Sequence, residues 1–327
     1  MSKISAIDLI RRPGQMTVGI EFPLDNDWSP EGETRRIADG RPRGVPDLSM
    51  QAGLIRKIDD LGFSALWIRD VPVFDRVNMG DAGSVYDVFA FLGFLAGITR
   101  NVALGTAAVV LPIRHPLMTA KAAASIDALS EGRLILGVAS GDRPVEYPLL
   151  GIDVDSRGQA FRDAVGYLRA AWQDGGLPVE GQRMPSLDLL PRPTQAAIPL
   201  VVAGRAQQDE TWLAANMDGR FVYPGNVDRL IAQANDWAST TGGMRPFISA
   251  FHLDLIDDPD APAEPIRFGA RIGRKALIDH FRALRCGGVD HMAINLRQSA
   301  RPLGEVIEEL ASEVIPALDE NKAARAA

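Results

Sequence analysis

The chain has 327 residues, of which 46% are hydrophobic and 24% charged, and its formal net charge is −7. This composition provides material for a large core, and the negative charge argues against general binding to nucleic acids or anionic membranes. The single cysteine, Cys286, excludes an intrachain disulfide, and no Cys/His cluster predicts a zinc site. Because the N-terminal segment lacks the apolar core of a signal peptide, we expect a cytoplasmic protein.

Short apolar runs, bounded by glycine, proline and polar residues, recur along the whole chain and predict buried β-strands. In chain order these runs are 17–22, 63–68, 102–111, 133–138, 199–203, 219–222, 247–256 and 289–295. Each is followed by a helical pattern, in the order 47–61, 84–99, 117–129, 159–173, 206–217, 226–240, 271–285 and 302–318. Ser84 is a plausible cap for the second helix.

Eight strands that each precede a helix predict an α/β fold, a closed (β/α)8 TIM-type barrel, as a single domain over residues 1–327. The main alternative is an open doubly wound sheet with a second domain. That fold requires a glycine-rich dinucleotide-binding turn after an early strand, and the chain contains none. Three stretches rich in proline or polar residues, 25–46, 178–199 and 257–268, are predicted to be loop insertions, two of which shape access to the carboxyl-end face.

In such a barrel the active site lies at the carboxyl ends of the strands. The polar or reactive residues expected there are Glu21, Arg69, Asp70, Thr106, Arg114, His115, Ser140, Asp142, Arg205, Gln207, Tyr223 and Arg297. A buried carboxylate without a partner is costly, so Glu21, at the end of an otherwise apolar strand, is expected to pair with Arg69 or with a ligand.

The turn Gly204-Arg205-Ala206-Gln207 follows an apolar strand and is predicted to open a helix. Backbone N–H groups at such a helix start favour an anion, and Arg205 would add a charged contact. The alternative is a tight turn with a solvent-facing arginine.

The histidines and the acidic loop leave several interpretations open. His115 could donate a proton, bond to a ligand ring or cap the following helix, whereas His280 and His291 are expected to be structural. Arg267 and Arg271 could belong to a lid that closes over an anionic substrate, or could simply be solvated.

Residues 104–142 carry a pattern that resembles the bacterial luciferase-like monooxygenases. The matching features are a strand that ends at Gly105-Thr106, a His115-Pro116 helix start, and the turn Asp-Ala-Leu-Ser-Glu-Gly-Arg at 127–133, which leads into a strand and a glycine-containing loop. Further matches, such as the segment 199–204, extend the resemblance over roughly residues 17–318.

The resemblance implies a TIM-type barrel that binds reduced FMN, or in one branch a deazaflavin, with reduced flavin commonly supplied by a separate reductase. By position, the turn at 204–207 would hold the flavin phosphate, and Thr106 and Ala107 would lie against the ring. Phe161 stands where many relatives have a tyrosine, which removes one hydroxyl contact. The predicted cofactor contacts are Glu21, Asp70, Thr106, Ala107, Ser140, Gly141, Phe161, Gly204, Arg205, Ala206 and Gln207, and the predicted catalytic residue is His115.

We therefore expect an FMN-dependent monooxygenase that acts with O2 on a small organic substrate, with a flavin reductase as a possible partner. A homodimer is also expected, because the strongly apolar helix over 85–98 suits the core and a subunit contact. The alternatives are a deazaflavin-dependent dehydrogenase or reductase, a flavin-binding protein without catalysis, and, if the resemblance is set aside, a phosphate-binding lyase or isomerase.

Overall fold

A computed structural model describes residues 5–45, 51–75, 77, 86–179 and 181–319. Its centre is a ring of eight parallel strands, β1 (Thr17–Glu21), β2 (Ala65–Ile68), β3 (Ala103–Thr106), β4 (Leu134–Ala139), β5 (Leu200–Ala203), β6 (Gly219–Val222), β7 (Phe247–Leu255) and β8 (His291–Asn295). Each strand pairs with the next in sequence, and β8 pairs with β1. The predicted (β/α)8 barrel is confirmed.

Most helices cover the outside of the ring, whereas the first closes its amino-terminal end, where Ala6 and Ile10 pack on the interior residues. The helices are α1 (Ala6–Ile10), α2 (Pro30–Ala38), α3 (Gln51–Asp60), α4 (Val88–Ile98), α5 (Pro116–Leu129), α6 (Glu146–Leu149), α7 (Arg157–Ala171), α8 (Glu210–Asn216), α9 (Val227–Thr241), α10 (Arg274–Cys286), α11 (Leu303–Glu309) and α12 (Ile315–Ala317). A π-helical turn, Leu310–Val314, joins the last two, and 3-10 turns lie at Leu111–Ile113 and Val154–Ser156. No helix in the described ranges has both the length and the apolar character that crossing a membrane requires.

All three predicted loop segments contain regular structure. Within 257–268, Glu264–Ile266 forms a strand that pairs with Gly269–Ile272 in a hairpin. Residues 25–46 include α2, which Ser29 caps by accepting a 3.0 Å hydrogen bond from the Gly32 N–H, with Pro30 in the first turn. A Ser-Pro step favours a helix start, and the abundance of proline and glycine concealed it. Within 178–199, a hairpin begins as Leu177–Val179 pairs with Gln182–Met184.

Three predicted boundaries also differ. The strand predicted over 102–111 breaks after Thr106, and Val109–Val110 forms a separate short strand beside β4. The helix predicted from residue 271 begins at Arg274, because Gly269–Ile272 extends the sheet beside β7. Ser84 lies outside the described residues, and Asp87 caps α4 by accepting from the N–H groups of Phe89 and Ala90.

A polar cluster fills the amino-terminal end of the barrel interior. The Thr17 hydroxyl donates to the Ile10 carbonyl at 2.6 Å and lies 2.7 Å from Nδ1 of His291, while the Trp67 indole N–H donates to Nε2 at 2.9 Å. These contacts satisfy a neutral imidazole that carries its proton on Nδ1. Burial lowers the pKa of His291 to about 3. His291 is therefore placed as the structural histidine that the sequence predicted.

The Asp127 carboxylate, within the turn that carries the family resemblance, is fully buried and holds the chain segment that leads into β5. It accepts hydrogen bonds from the N–H groups of Thr194 (2.7 Å) and Gln195 (3.0 Å) and from the Gln195 side chain (2.7 Å). Arg133, at the end of the same turn, donates to the carbonyls of Thr99 and Val102. This turn therefore ties neighbouring βα units together at the amino-terminal end of the barrel.

His291 predicts a specific dependence of stability on pH. The unfolded state protonates near the ordinary histidine pKa of about 6.5, while the native state resists protonation down to about pH 3. The unfolded state therefore binds more protons across this window, and stability falls as the pH is lowered, by up to about 1.4 kcal/mol per pH unit. Urea unfolding between pH 6.5 and 4.5 should show wild type losing stability relative to His291→Asn. A difference that stays constant with pH would contradict this assignment.

Candidate active site

The carboxyl-end mouth of the barrel divides into two arcs of unlike chemistry. Along β3, β4 and β5 the last inward positions, which follow from the alternation of the strands, are Ala107, Ala139 and Ala203. All three are only half-buried. Deeper on the same strands, Ile135, four residues before Ala139, and Val201, two residues before Ala203, are fully buried. This alanine arc therefore borders open space above a closed core.

The opposite arc, formed by β6, β7, β8 and β1, carries polar and aromatic residues at the same level: Tyr223, His252, Asn295 and Glu21. Arg69 Nε donates to Glu21 Oε1 at 2.6 Å, which confirms the predicted ion pair. The other oxygen, Glu21 Oε2, is buried and has no hydrogen-bond partner among the described residues. Buried polar atoms normally have partners, so this oxygen is a candidate contact for a bound molecule.

A buried ion pair joins the segments that follow β1 and β8, next to this arc of polar and aromatic residues. Arg297 Nε donates to Asp25 Oδ1 at 2.7 Å, and both side chains are almost fully buried. Burial lowers the pKa of Arg297, and the neighbouring Asp25 carboxylate opposes that shift. The guanidinium also lies 4.3 Å from the centre of the Trp28 ring, a cation–π contact that fixes this ring at the rim.

Tyr223 bridges the two arcs. Its hydroxyl donates to Asp142 Oδ2 at 3.1 Å, and 70% of the residue's surface remains accessible. Tyr223 lies two residues after Phe221, which packs in the barrel interior, so it is placed at the inner side of the mouth. Partial desolvation at the mouth, together with the charge and hydrogen bond of Asp142, raises the pKa of Tyr223 above its ordinary value. It therefore stays protonated at neutral pH and acts as a hydrogen-bond donor.

Thr106, Ser140 and Gly141 lie together at the rim of the alanine arc. The Thr106 hydroxyl donates to the Gly137 carbonyl at 2.7 Å, and the Ser140 carbonyl accepts from Tyr147. Gly141 has a φ of +83°, and a Cβ there would lie 2.6 Å from the Tyr147 hydroxyl oxygen. This position therefore needs glycine for both its conformation and its space.

Asp70 and His115 have well-defined local partners. Both carboxylate oxygens of Asp70 bind Arg114, at 2.6 and 2.7 Å, and this pairing raises the pKa of Arg114. His115 is exposed at the N-cap of α5, where its Nδ1 accepts a 3.3 Å hydrogen bond from the Leu117 N–H. That contact matches the capping alternative, and the catalytic role of His115 stays a prediction.

The loop after β5 forms a concave backbone turn. Gly204, Ala206 and Gln207 have positive φ angles of 68°, 43° and 59°. Where right-handed and left-handed backbone conformations alternate, successive N–H groups can point toward one place, and this arrangement favours a bound anion. The loop packs on the start of α7, where the Gln208 side chain donates to the Gly158 carbonyl at 2.8 Å.

The prediction that a helix opens at Gly204 is wrong. Helix α8 begins six residues later, at Glu210, and the Asp209 carboxylate already caps it by accepting from the Trp212 N–H at 2.7 Å. Arg205 is exposed and lies 3.4 Å from Glu210. Any anion at this loop would therefore depend on the loop's own N–H groups and on Arg205, not on the α8 dipole.

Phe161 lies on the inner face of α7, fully buried, with its ring 6.0 Å from that of Trp212. Arg267 and Arg271 belong to a β-hairpin: Arg267 stacks 4.9 Å from the Phe268 ring, and Arg271 lies 3.8 Å from Asp254. The acidic loop therefore ends in ordered sheet structure beside the mouth.

The sequence reasoning did not identify His252 and Asn295 as site residues. Both occupy alternate positions of strongly apolar runs, where a polar residue is unusual. They pair with each other in the β7–β8 register, two residues beyond the core pair Ala250 and Ala293. Counting alternate positions from the core residue Ala250 or Ala293 would have placed them in the mouth. Among the described residues, no group of three or more His, Cys, Asp or Glu could hold a metal ion.

Comparison with known proteins identifies the family. A sequence model described as luciferase-like monooxygenase matches residues 16–240. The chain belongs to this family.

One relative of this luciferase-like chain is the oxygenase component of a flavin-dependent trigonelline monooxygenase from Acinetobacter baylyi, 33% identical over 187 residues, which cover 54% of this chain and 52% of that protein. The fold is similar to monooxygenase RslO1 from Streptomyces bottropensis (TM-score 0.71, 18% identity, 92% of this chain and 99% of that one). It is also similar to a coenzyme F420-dependent tetrahydromethanopterin reductase from Methanopyrus kandleri (TM-score 0.68, 17% identity, 93% and 99%).

Gly141 yields a direct test of the rim geometry. Gly141→Ala should lower the free energy of unfolding by about 2 kcal/mol, because alanine resists the positive φ and its Cβ would collide with Tyr147. The matched control is Gly166→Ala, on the exposed face of α7 with open space around it, which should stabilise the protein by about 0.5–1 kcal/mol. Chemical denaturation measures both. Equal effects of the two substitutions would show that the rim does not require glycine.

Proposed function

We propose that this protein is a flavin-dependent oxidoreductase of the monooxygenase type, which uses reduced FMN and O2 to oxidise a small organic substrate. The observation that carries the proposal is the alanine arc: the mouth of this luciferase-like barrel has three half-buried alanines at the ends of β3, β4 and β5. A flat ring system needs a broad apolar surface without protruding side chains, and this arc supplies one.

The residues at the mouth fit a flavin in three respects. Ala107, Ala139 and Ala203 leave space for the ring. The left-handed turn at 204–207, with Arg205, suits the phosphate. Gly141 keeps the rim beside the ring free of a side chain, since a Cβ there would meet its neighbours below 3 Å.

The bound flavin would supply the redox chemistry, and the protein would position it and exclude water. The alanine arc contributes apolar surface, and the fully buried residues beneath it close the barrel toward solvent. On the opposite arc Glu21, held by Arg69, and Asn295 would orient the substrate. The relative named as an oxygenase component is consistent with a separate reductase that delivers reduced flavin.

A deazaflavin-dependent dehydrogenase or reductase is the second candidate. It is favoured by the similarity of the whole barrel to F420-dependent enzymes, including a secondary alcohol dehydrogenase whose structure covers 93% of this chain at a TM-score of 0.71. The same alanine arc would accept either ring system. Parallel titrations with FMN, reduced FMN and a deazaflavin distinguish the two proposals by relative affinity.

The alanine arc can be tested by filling it. In Ala203→Leu a branched side chain would occupy the space assigned to the ring, so FMN affinity should fall at least about tenfold while the fold is retained. Ala232→Leu, an equal change at an exposed position of α9, should leave affinity unchanged. Quenching of flavin fluorescence measures binding, and circular dichroism checks folding. Unchanged affinity in Ala203→Leu would remove this arc as the flavin site.

We also propose a homodimer formed through α4. The rings of Phe91 and Phe94 stack at 5.9 Å, Tyr86 lies 5.7 Å from Phe91, and Phe94 remains 44% exposed on a helix with almost no polar residues. Light scattering should give twice the mass of the chain, and Phe94→Lys should shift the protein toward the monomer. A wild-type monomer would exclude this contact.

A further inference from the structure

Four rings form a continuous aromatic wall on the polar side of the mouth: Tyr223, Phe268, His252 and Trp28. Tyr223 and Phe268 stack with centroids 6.2 Å apart and an interplanar angle of 28°. Phe268 meets His252 edge-on at 5.5 Å, and His252 lies 5.9 Å from Trp28. The wall therefore runs from the end of β6, across β7, to the segment that follows β1.

Phe268 reaches this wall through an unusual backbone conformation. Its φ is +65°, because Arg267 and Phe268 form the two-residue loop of the hairpin in which Ile266 pairs with Gly269. The His252 N–H donates to the Phe268 carbonyl at 3.0 Å. The turn presents the Phe268 ring beside the mouth, where it remains 40% exposed.

A second, independent feature lies beside the wall. Glu21 and Asn295 are partners in the β1–β8 register, and they are 5% and 0% exposed. Asn295 Oδ1 accepts the Arg297 N–H at 3.1 Å, but Asn295 Nδ2 and Glu21 Oε2 have no hydrogen-bond partner among the described residues. One is a donor and the other an acceptor, so a group that can both accept and donate would satisfy both.

We propose that the substrate is a planar aromatic compound with a hydroxyl or carboxamide group, whose ring packs on the aromatic wall while its polar group donates to Glu21 and accepts from Asn295. This inference rests on the proposed function, because it assumes that the flavin occupies the alanine arc on the opposite side of the mouth. The two arcs would then place the substrate ring beside the cofactor ring. Aromatic side chains bind flat rings by stacking and edge contacts, which a saturated ring of equal size cannot make as well.

The first test compares 2-naphthol with decahydro-2-naphthol, which has the same carbon skeleton and hydroxyl group but no aromatic ring. Calorimetric titration of the protein, with and without FMN, should show 2-naphthol binding about tenfold more tightly. Equal affinities, or no binding of 2-naphthol in either form, would overturn the proposal.

Variants separate the ring contact from the polar contact. Phe268→Gly removes the ring and relieves the positive φ, so it should fold at least as stably as wild type while losing about tenfold in 2-naphthol affinity. Tyr223→Phe keeps the ring and should retain affinity. Leu129→Ala, at the end of α5, is the control for loss of an exposed apolar side chain elsewhere. Unchanged 2-naphthol affinity in Phe268→Gly would contradict the role of the wall.

Asn295→Ala removes the free donor. It should weaken 2-naphthol severalfold and leave naphthalene, which has no hydroxyl group, unchanged; equal loss for both probes would contradict the polar contact. FMN affinity is measured in every variant. If FMN fails to bind wild type while the 2-naphthol preferences hold, the proposed function fails and the aromatic site stands. If FMN binds and the preferences are absent, only the substrate proposal fails.

Discussion

Closure of the eight-stranded ring is the constraint on which the rest of the structure depends. Because β8 pairs with both β7 and β1, every inward residue belongs to a layer, and its height along the strand decides its surroundings. His291, at the start of β8, is enclosed and neutral, whereas Asn295, four residues later on the same face, borders the mouth. Polar residues on one strand can therefore be structural at one end and available to a ligand at the other.

The sequence predicted the strands well because buried parallel strands are short, uninterrupted apolar runs. It predicted the Glu21–Arg69 pair for a related reason, since an isolated carboxylate in such a run requires a partner. It could not predict which residues cross from one βα unit to another. The Tyr223–Asp142 hydrogen bond and the contact of Phe268 with His252 depend on loop paths that local patterns do not encode.

Two errors show how local signals compete. A glycine after β5 looked like a helix start, but the aspartate five residues later, Asp209, is the stronger cap, so the helix begins there. The proline-rich stretch after β1 looked irregular, although Ser29 and Pro30 together open α2. The family resemblance places Ala107 against the flavin ring by sequence position alone. The structure adds that Ala139 and Ala203 lie at the same height in the barrel and are also half-buried.

The turn around Asp127, which carries the family resemblance most clearly, lies at the opposite end of the barrel from the mouth, and its buried carboxylate holds Thr194 and Gln195 in place. If a relative has the same turn, this indicates that it has the same scaffold. The turn does not indicate which cofactor or substrate that relative binds. A survey of genomes that relied on this motif would collect proteins that have changed their chemistry, or lost it, together with those that retain it. Sorting them would require the residues at the mouth, from the alanine arc to the aromatic wall.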